Sequence, residues 1–136
     1  MDTGKSALGM DGNVAAALGY LIGIIAIISL IMEKGNRFVK FHALQSILLH
    51  AAFIVLWTVL VILFAIIIIV IGAAAAAGGD TAAGTFSGIF LTISVLLGMA
   101  GFLAYVIALI MSAVNAYSGQ KFELPVIGRL ADKWIG

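Results

Sequence analysis

Apolar positions run along this chain in three long blocks, and the polar positions are gathered between them. Charged side chains occur at Asp2, Lys5 and Asp11, at Glu33, Lys34, Arg37 and Lys40, at Asp80, and at Lys121, Glu123, Arg129, Asp132 and Lys133. Residues 12–32, 41–79 and 81–120 carry no charge at all. About 20 apolar residues cross a bilayer as a helix, so each block is long enough to span. In lipid every backbone amide needs an internal partner, which makes helices of all three blocks despite their many β-branched residues. The pattern predicts an all-α integral membrane protein with three transmembrane helices over about residues 13–32, 41–71 and 85–117. A break in the third block near Gly98 and Gly101 would raise the number to four.

The ends of these elements are readable too. Residues 1–12 form a short polar tail, expected to be mobile, and residues 13–136 a single helical membrane domain. Asp11 or Asn13 can cap the first helix, and Gly35-Asn36 ends it. The first block is expected to be retained and not cleaved as a signal peptide, since it exceeds a typical apolar core of about 7–15 residues and lacks a small-residue cleavage site. The second block is about 46 Å long as a helix, more than the hydrocarbon core of about 30 Å. Its polar start, residues 38–49, is therefore expected as an interfacial segment, with the span proper beginning near His50. "GAAAAAGGDTAAG", residues 72–84, reads as the turn into the third span, pivoting on Gly78 and Gly79. After Gly119, residues 120–136 predict a short amphipathic interfacial helix starting near Pro125, with Val126, Leu130 and Trp134 on its apolar side.

Composition sharpens the class. The chain of 136 residues is 64% hydrophobic and 10% charged, where soluble domains carry about a quarter charged residues. The net charge of +1 builds no nucleic-acid face, and the absence of cysteine removes disulfides and thiolate metal sites. Basic residues flank the second and third spans: Lys34, Arg37 and Lys40 before, and Lys121, Arg129 and Lys133 after. The excess of basic residues in cytoplasmic loops then predicts a plasma-membrane protein with its N-terminus outside and its C-terminus in the cytoplasm. The same six residues are candidates for contact with anionic lipid.

Two kinds of candidate site emerge. Ala15, Gly19 and Gly23 in the first span, and Ala100, Ala104, Ala108 and Ser112 in the third, repeat every four residues. Such small-residue faces let helices approach closely in lipid, which favours a homo-oligomer or a larger membrane complex. The second kind is polar. His42, Gln45, Ser46 and His50 share one helical face, and an antiparallel second and third span would bring Ser112, Asn115 and Tyr117 level with it, with Glu33 at the same depth. The face is read as a cluster that locks helices together; a polar vestibule or permeation path is the alternative. His42 and His50 lie about 12 Å apart along the axis, too far for one metal. No catalytic constellation, metal site or cofactor motif appears, so no enzyme and no cofactor are expected.

The stretch "NVAAALGYLIGIIAIISLIMEKGNRFVKFHALQSIL" resembles the opening of a family of small prokaryotic membrane proteins. These are related to the twenty-kilodalton channel-like subunit of the chloroplast inner-envelope protein-import machinery. The resemblance rests on Asn36, Phe38, Val39, Phe41, His42, Ala43, Gln45 and Ser46, and on a closing turn carried by Ala116, Gly119, Phe122 and Pro125. It implies a compact helical membrane domain with "FHALQS" at a helix start, and it extends over about residues 13–134. The expected function is a non-enzymatic structural or assembly subunit, with membrane lipids as surroundings. A transport component or a binder of lipid or a hydrophobic cofactor is the alternative.

Overall fold

The computed structural model describes residues 3–78 and 81–135. They form five α-helices: α1 (Gly12–Leu21), α2 (Gly23–Met32), α3 (Arg37–Gly78), α4 (Thr81–Tyr117) and α5 (Ile127–Ile135). Two of these hold stretches long and apolar enough to cross a membrane, Arg37–Ala77 and Gly84–Tyr117. The chain divides into two compact units, one of Met1–Ala52 with Tyr105–Gly136 and one of Phe53–Ala104.

The first apolar block does not form the expected span. It breaks at Ile22, whose backbone is extended at φ −127 and ψ 91, into two helices of 10 residues each. Each is about 15 Å long, half the hydrocarbon thickness. The two helices pack on each other, with Gly19 facing Ala26. The small-residue face of Ala15, Gly19 and Gly23 is thus used largely inside the chain: Ala15 is buried, and Gly19 seats the second half of its own block. A methyl at Gly19 would meet the Ala26 side chain at 3.4 Å, an ordinary contact. Gly19→Ala is therefore expected to cost less than about 1 kcal/mol, and Gly19→Leu about 1–3 kcal/mol; thermal unfolding in detergent separates the two.

Residues 3–12, expected as a mobile tail, fold back onto their own unit. The Ala7 amide donates to Glu33 Oε2 at 2.8 Å, and Asn36 Nδ2 donates to the Thr3 carbonyl at 2.7 Å. Asp11 stands at the N-cap of α1 but pairs with Lys5, and Thr3 Oγ1 accepts from the Asn13 amide instead. Asn13 Nδ2 reaches the Tyr117 carbonyl at the end of α4, 2.8 Å away. The segment ahead of α1, the α2–α3 connection and the end of α4 therefore share one side of this unit.

α3 starts under the rest of its unit rather than along an interface. Val39, Phe41, His42, Ala43, Gln45, Ser46 and Leu49 are all buried, so the expected interfacial segment is a helix start enclosed by protein. Asn36 caps it, its Oδ1 accepting from the Val39 amide at 3.2 Å. Phe41 and Leu44 pack with Ala131 of α5, and Tyr20, Ala16 and Ala17 of α1 pack with Ala113 and Ala116 of α4. α4 runs unbroken through Gly98 and Gly101, so it supplies no fourth span. It closes at Gly119, φ 73, with Gln120 N–H bonded to Asn115 O and Gly119 N–H to Ala116 O. That pattern needs a left-handed residue after the helix, where glycine has no Cβ penalty.

In the other unit, residues 53–78 and 81–104 lie antiparallel, with Phe53 against Phe102 and Phe64 against Phe90. An apolar groove of about 590 Å³ runs between Trp57, Phe64, Val95 and Phe102. The expected turn over residues 72–84 is helical through Gly78 and again from Thr81. Of the expected pivot, Gly78 ends α3, while Gly79 lies outside the described residues, as do Asp80, Met1, Asp2 and Gly136.

Candidate functional site

The chemistry of the chain converges on Gln45. One turn of α3 places His42, Gln45 and Ser46 on a single buried face, each fully enclosed. Gln45 Nε2 donates to Tyr20 Oη at 2.7 Å and to the Phe122 carbonyl at 3.0 Å, while its Oε1 accepts from the Leu124 amide at 3.2 Å. A carbonyl on one side and an N–H on the other fix which end of the amide is which. Tyr20 Oη lies 3.0 Å from His42 Nδ1. Gln45, Tyr20 and His42 thus form one buried, continuous hydrogen-bonded chain. His42 Nε2 is buried with no hydrogen-bond partner among the described residues. The ring is held edge-on by Phe38 and Phe41, at centroid distances of 4.5 and 5.0 Å.

Ser46 performs a different task. Its hydroxyl donates to the Gly19 carbonyl at 2.8 Å. In an unbroken helix that carbonyl would accept from the amide four residues on, at Gly23; the break at Ile22 removes this bond. Ser46 thus satisfies a backbone group that the break exposes in an apolar setting. His50 lies one turn further along, its Nδ1 2.8 Å from the Ser46 carbonyl and its ring edge-on to Tyr105 at 5.9 Å.

Not every expected member of the cluster joins it. Asn115 Nδ2 donates to the Met111 carbonyl of its own helix, and Glu33 is buried elsewhere, accepting from Ala7 and Asn36. Ser112 is fully buried in the same unit as Tyr20, but its hydroxyl has no hydrogen-bond partner among the described residues. The residue that sequence reasoning missed is Tyr20. The signal was a phenol inside an otherwise aliphatic block, because a buried tyrosine hydroxyl ordinarily demands a partner. The backbone of Phe122 and Leu124 had no signal, since any residue offers those groups.

Above the junction, the connection from α4 to α5 is held at Lys121. Its Nζ pairs with Asp132 at 2.6 Å and Glu123 at 3.1 Å, and stands 4.7 Å over the Phe41 ring. The hydrogen bond to Asp132 raises the Lys121 pKa above its ordinary 10.5. A raised lysine pKa adds stability that is complete below the unfolded value and is lost as pH climbs through the folded one. Amide protection of α5 should therefore be flat through neutral pH and fall above about pH 10.5 in hydrogen-exchange measurements.

The arrangement fastens three separate parts of the chain to α3: α1 through Tyr20 and Gly19, the connection after α4 through Phe122 and Leu124, and α5 through Ala131. Among the described residues no three His, Asp or Glu side chains come together as a metal site. The polar face is buried, and its hydrogen bonds run to α1 and to the connection after α4.

Comparison with known proteins agrees with a membrane setting. Residues 7–131 match the model of the magnetosome magnetite crystal formation protein family. A UPF0132 membrane protein of Methanocaldococcus jannaschii is 35% identical over 132 residues, covering 96% of this chain and 94% of its own. A UPF0132 membrane protein of Archaeoglobus fulgidus is 34% identical over 128 residues, covering 93% and 98%. No solved structure matches. With near full-length similarity and two long apolar helices, this chain is a membrane protein that belongs to the magnetosome magnetite crystal formation protein family, alongside UPF0132 membrane proteins.

Proposed function

We propose that this protein is a non-enzymatic membrane subunit that works by assembly, offering helix faces to a second copy or to a larger membrane complex. One observation carries the reading. Along α4 the four-residue repeat of small side chains changes partner: Ala116 and Ser112 are buried, with Ala116 packed against α1, whereas Ala104 and Ala100 are exposed. Close approach of a further helix is what such an exposed small-residue face favours in lipid, where hydrophobicity alone offers no preference. A permeation role, the alternative raised by the sequence resemblance, has less support, because His42 and Gln45 are fully buried. Native mass measurement in nanodiscs tests assembly. The parent should run as an oligomer or complex and Ala104→Leu should shift it toward the monomer; a lone monomer in native membranes would sink the reading.

The topology that accompanies this reading has both ends of the chain on the cytoplasmic side, with the first block as a re-entrant helix pair. It is supported by the bonds from residues 3–13 to Glu33, Asn36 and Tyr117 and by the basic residues of the α2–α3 connection and the C-terminal segment. The chain has no cysteine, so Ala7→Cys and Ser118→Cys are clean reporters. Both should react with an impermeant thiol reagent from the same side. Labelling from opposite sides would restore a full first span.

A further inference from the structure

One pocket outside the polar junction carries charge. It has a volume of about 210 Å³ and is lined by Arg37 and Phe38 at the start of α3, by Phe41 one turn on, by Lys121, and by Asp132 and Ile135 of α5. Its floor is apolar, formed by Phe38, Phe41 and Ile135. Its cations differ in availability. Lys121 is spoken for by Asp132 and Glu123, while Arg37 makes no ion pair among the described residues. The lining therefore holds two positive side chains against one negative, leaving the Arg37 guanidinium uncompensated. The surroundings add to this: the described residues of the same unit carry seven basic and four acidic side chains.

We propose that this pocket seats the phosphodiester headgroup of an anionic membrane lipid, the phosphate against Arg37 and the first hydrocarbon segment over Phe41 and Ile135. Three features select that occupant. A guanidinium fork matches phosphate oxygens in pairs. A single uncompensated charge suits a phosphodiester monoanion better than the near-dianion of free phosphate. The apolar floor rewards a ligand that continues into hydrocarbon, which a soluble phosphate does not. Lys121, pinned by its two carboxylates, serves to shape the wall and keep Phe41 in place.

The test is competitive lipid binding by the full chain in detergent, read by native mass spectrometry. Equimolar phosphatidylglycerol and phosphatidylcholine would be offered to the parent, to Arg37→Gln and to Lys34→Gln. The parent should prefer phosphatidylglycerol, Arg37→Gln should lose the preference about tenfold, as removal of one charge-assisted bond implies, and Lys34→Gln should keep it. Arg37 is exposed, so its replacement is expected to fold, and the melting temperature of each variant confirms this. Equal retention of both lipids by the parent, or an unchanged preference in Arg37→Gln, would overturn the proposal. Displacement of phosphatidylglycerol by millimolar inorganic phosphate would also overturn it, by showing a free-anion site instead.

Discussion

Gln45→Leu should unfasten the unit around the start of α3, lowering its unfolding free energy by about 2–5 kcal/mol. The replacement is close in volume, so no cavity explains the loss. What it removes is every bond the amide makes: to Tyr20 Oη, to the Phe122 carbonyl and to the Leu124 amide. Each buried group left unmatched costs about 1–3 kcal/mol. Greater apolarity at a fully buried site returns only about 1–2 kcal/mol, so the polar loss wins. Chemical unfolding in detergent measures the total, and proteolysis localises it, since residues 120–135 should become cleavable first. An unfolding free energy within about 0.5 kcal/mol of the parent would mean that packing, not this amide, holds the connection down.

The second large effect is expected from Gly128→Ala, and its sign is the point of interest. Helix propensity alone favours alanine by about 0.8–1 kcal/mol in α5. The geometry opposes it: a Cβ at Gly128 would lie 2.6 Å from Gln45 Oε1 and 2.8 Å from the Glu123 Cα. The side-chain oxygen could move only by abandoning the Leu124 amide, and the Glu123 contact is backbone. Overpacking of this kind costs typically about 1–3 kcal/mol, occasionally more, so destabilisation should prevail. Gly101→Ala is the matched control, because nothing lies within 4 Å of a Cβ there. It should be neutral or slightly stabilising. Equal melting temperatures for the two variants would show that α5 does not press on Gln45. Amide exchange at Leu124 and Ala131 provides the local readout, both being expected to lose protection only in Gly128→Ala.

These two residues also show how legible the site was. Gln45 stood out in the sequence, as a polar residue on a helical face shared with His42 and Ser46. Its burial follows from α3 lying beneath α1 and α5, which no spacing within α3 reveals. Asn115 illustrates the opposite failure. Level with the cluster by helix arithmetic, it satisfies its amide with the Met111 carbonyl four residues back. A local bond of that kind is always within reach of an asparagine on a helix.

The alternation of charge-free blocks and charged connections determined, by itself, that the chain is helical and embedded. It also placed the apolar middles of α3 and α4, because lipid offers the backbone no other partners. The ends of α4 and α5 were readable for the same local reason, through Gly119 and Pro125. Only the tertiary structure decided that the first block is two short helices, broken at Ile22. Nothing apolar distinguishes Ile22 from its neighbours. The break is tolerated because Ser46, 27 positions away, meets the carbonyl of Gly19, and because Ala26 can settle against a residue with no side chain. Hydropathy records how much each residue favours lipid. It holds no record of which distant group will satisfy a broken helix.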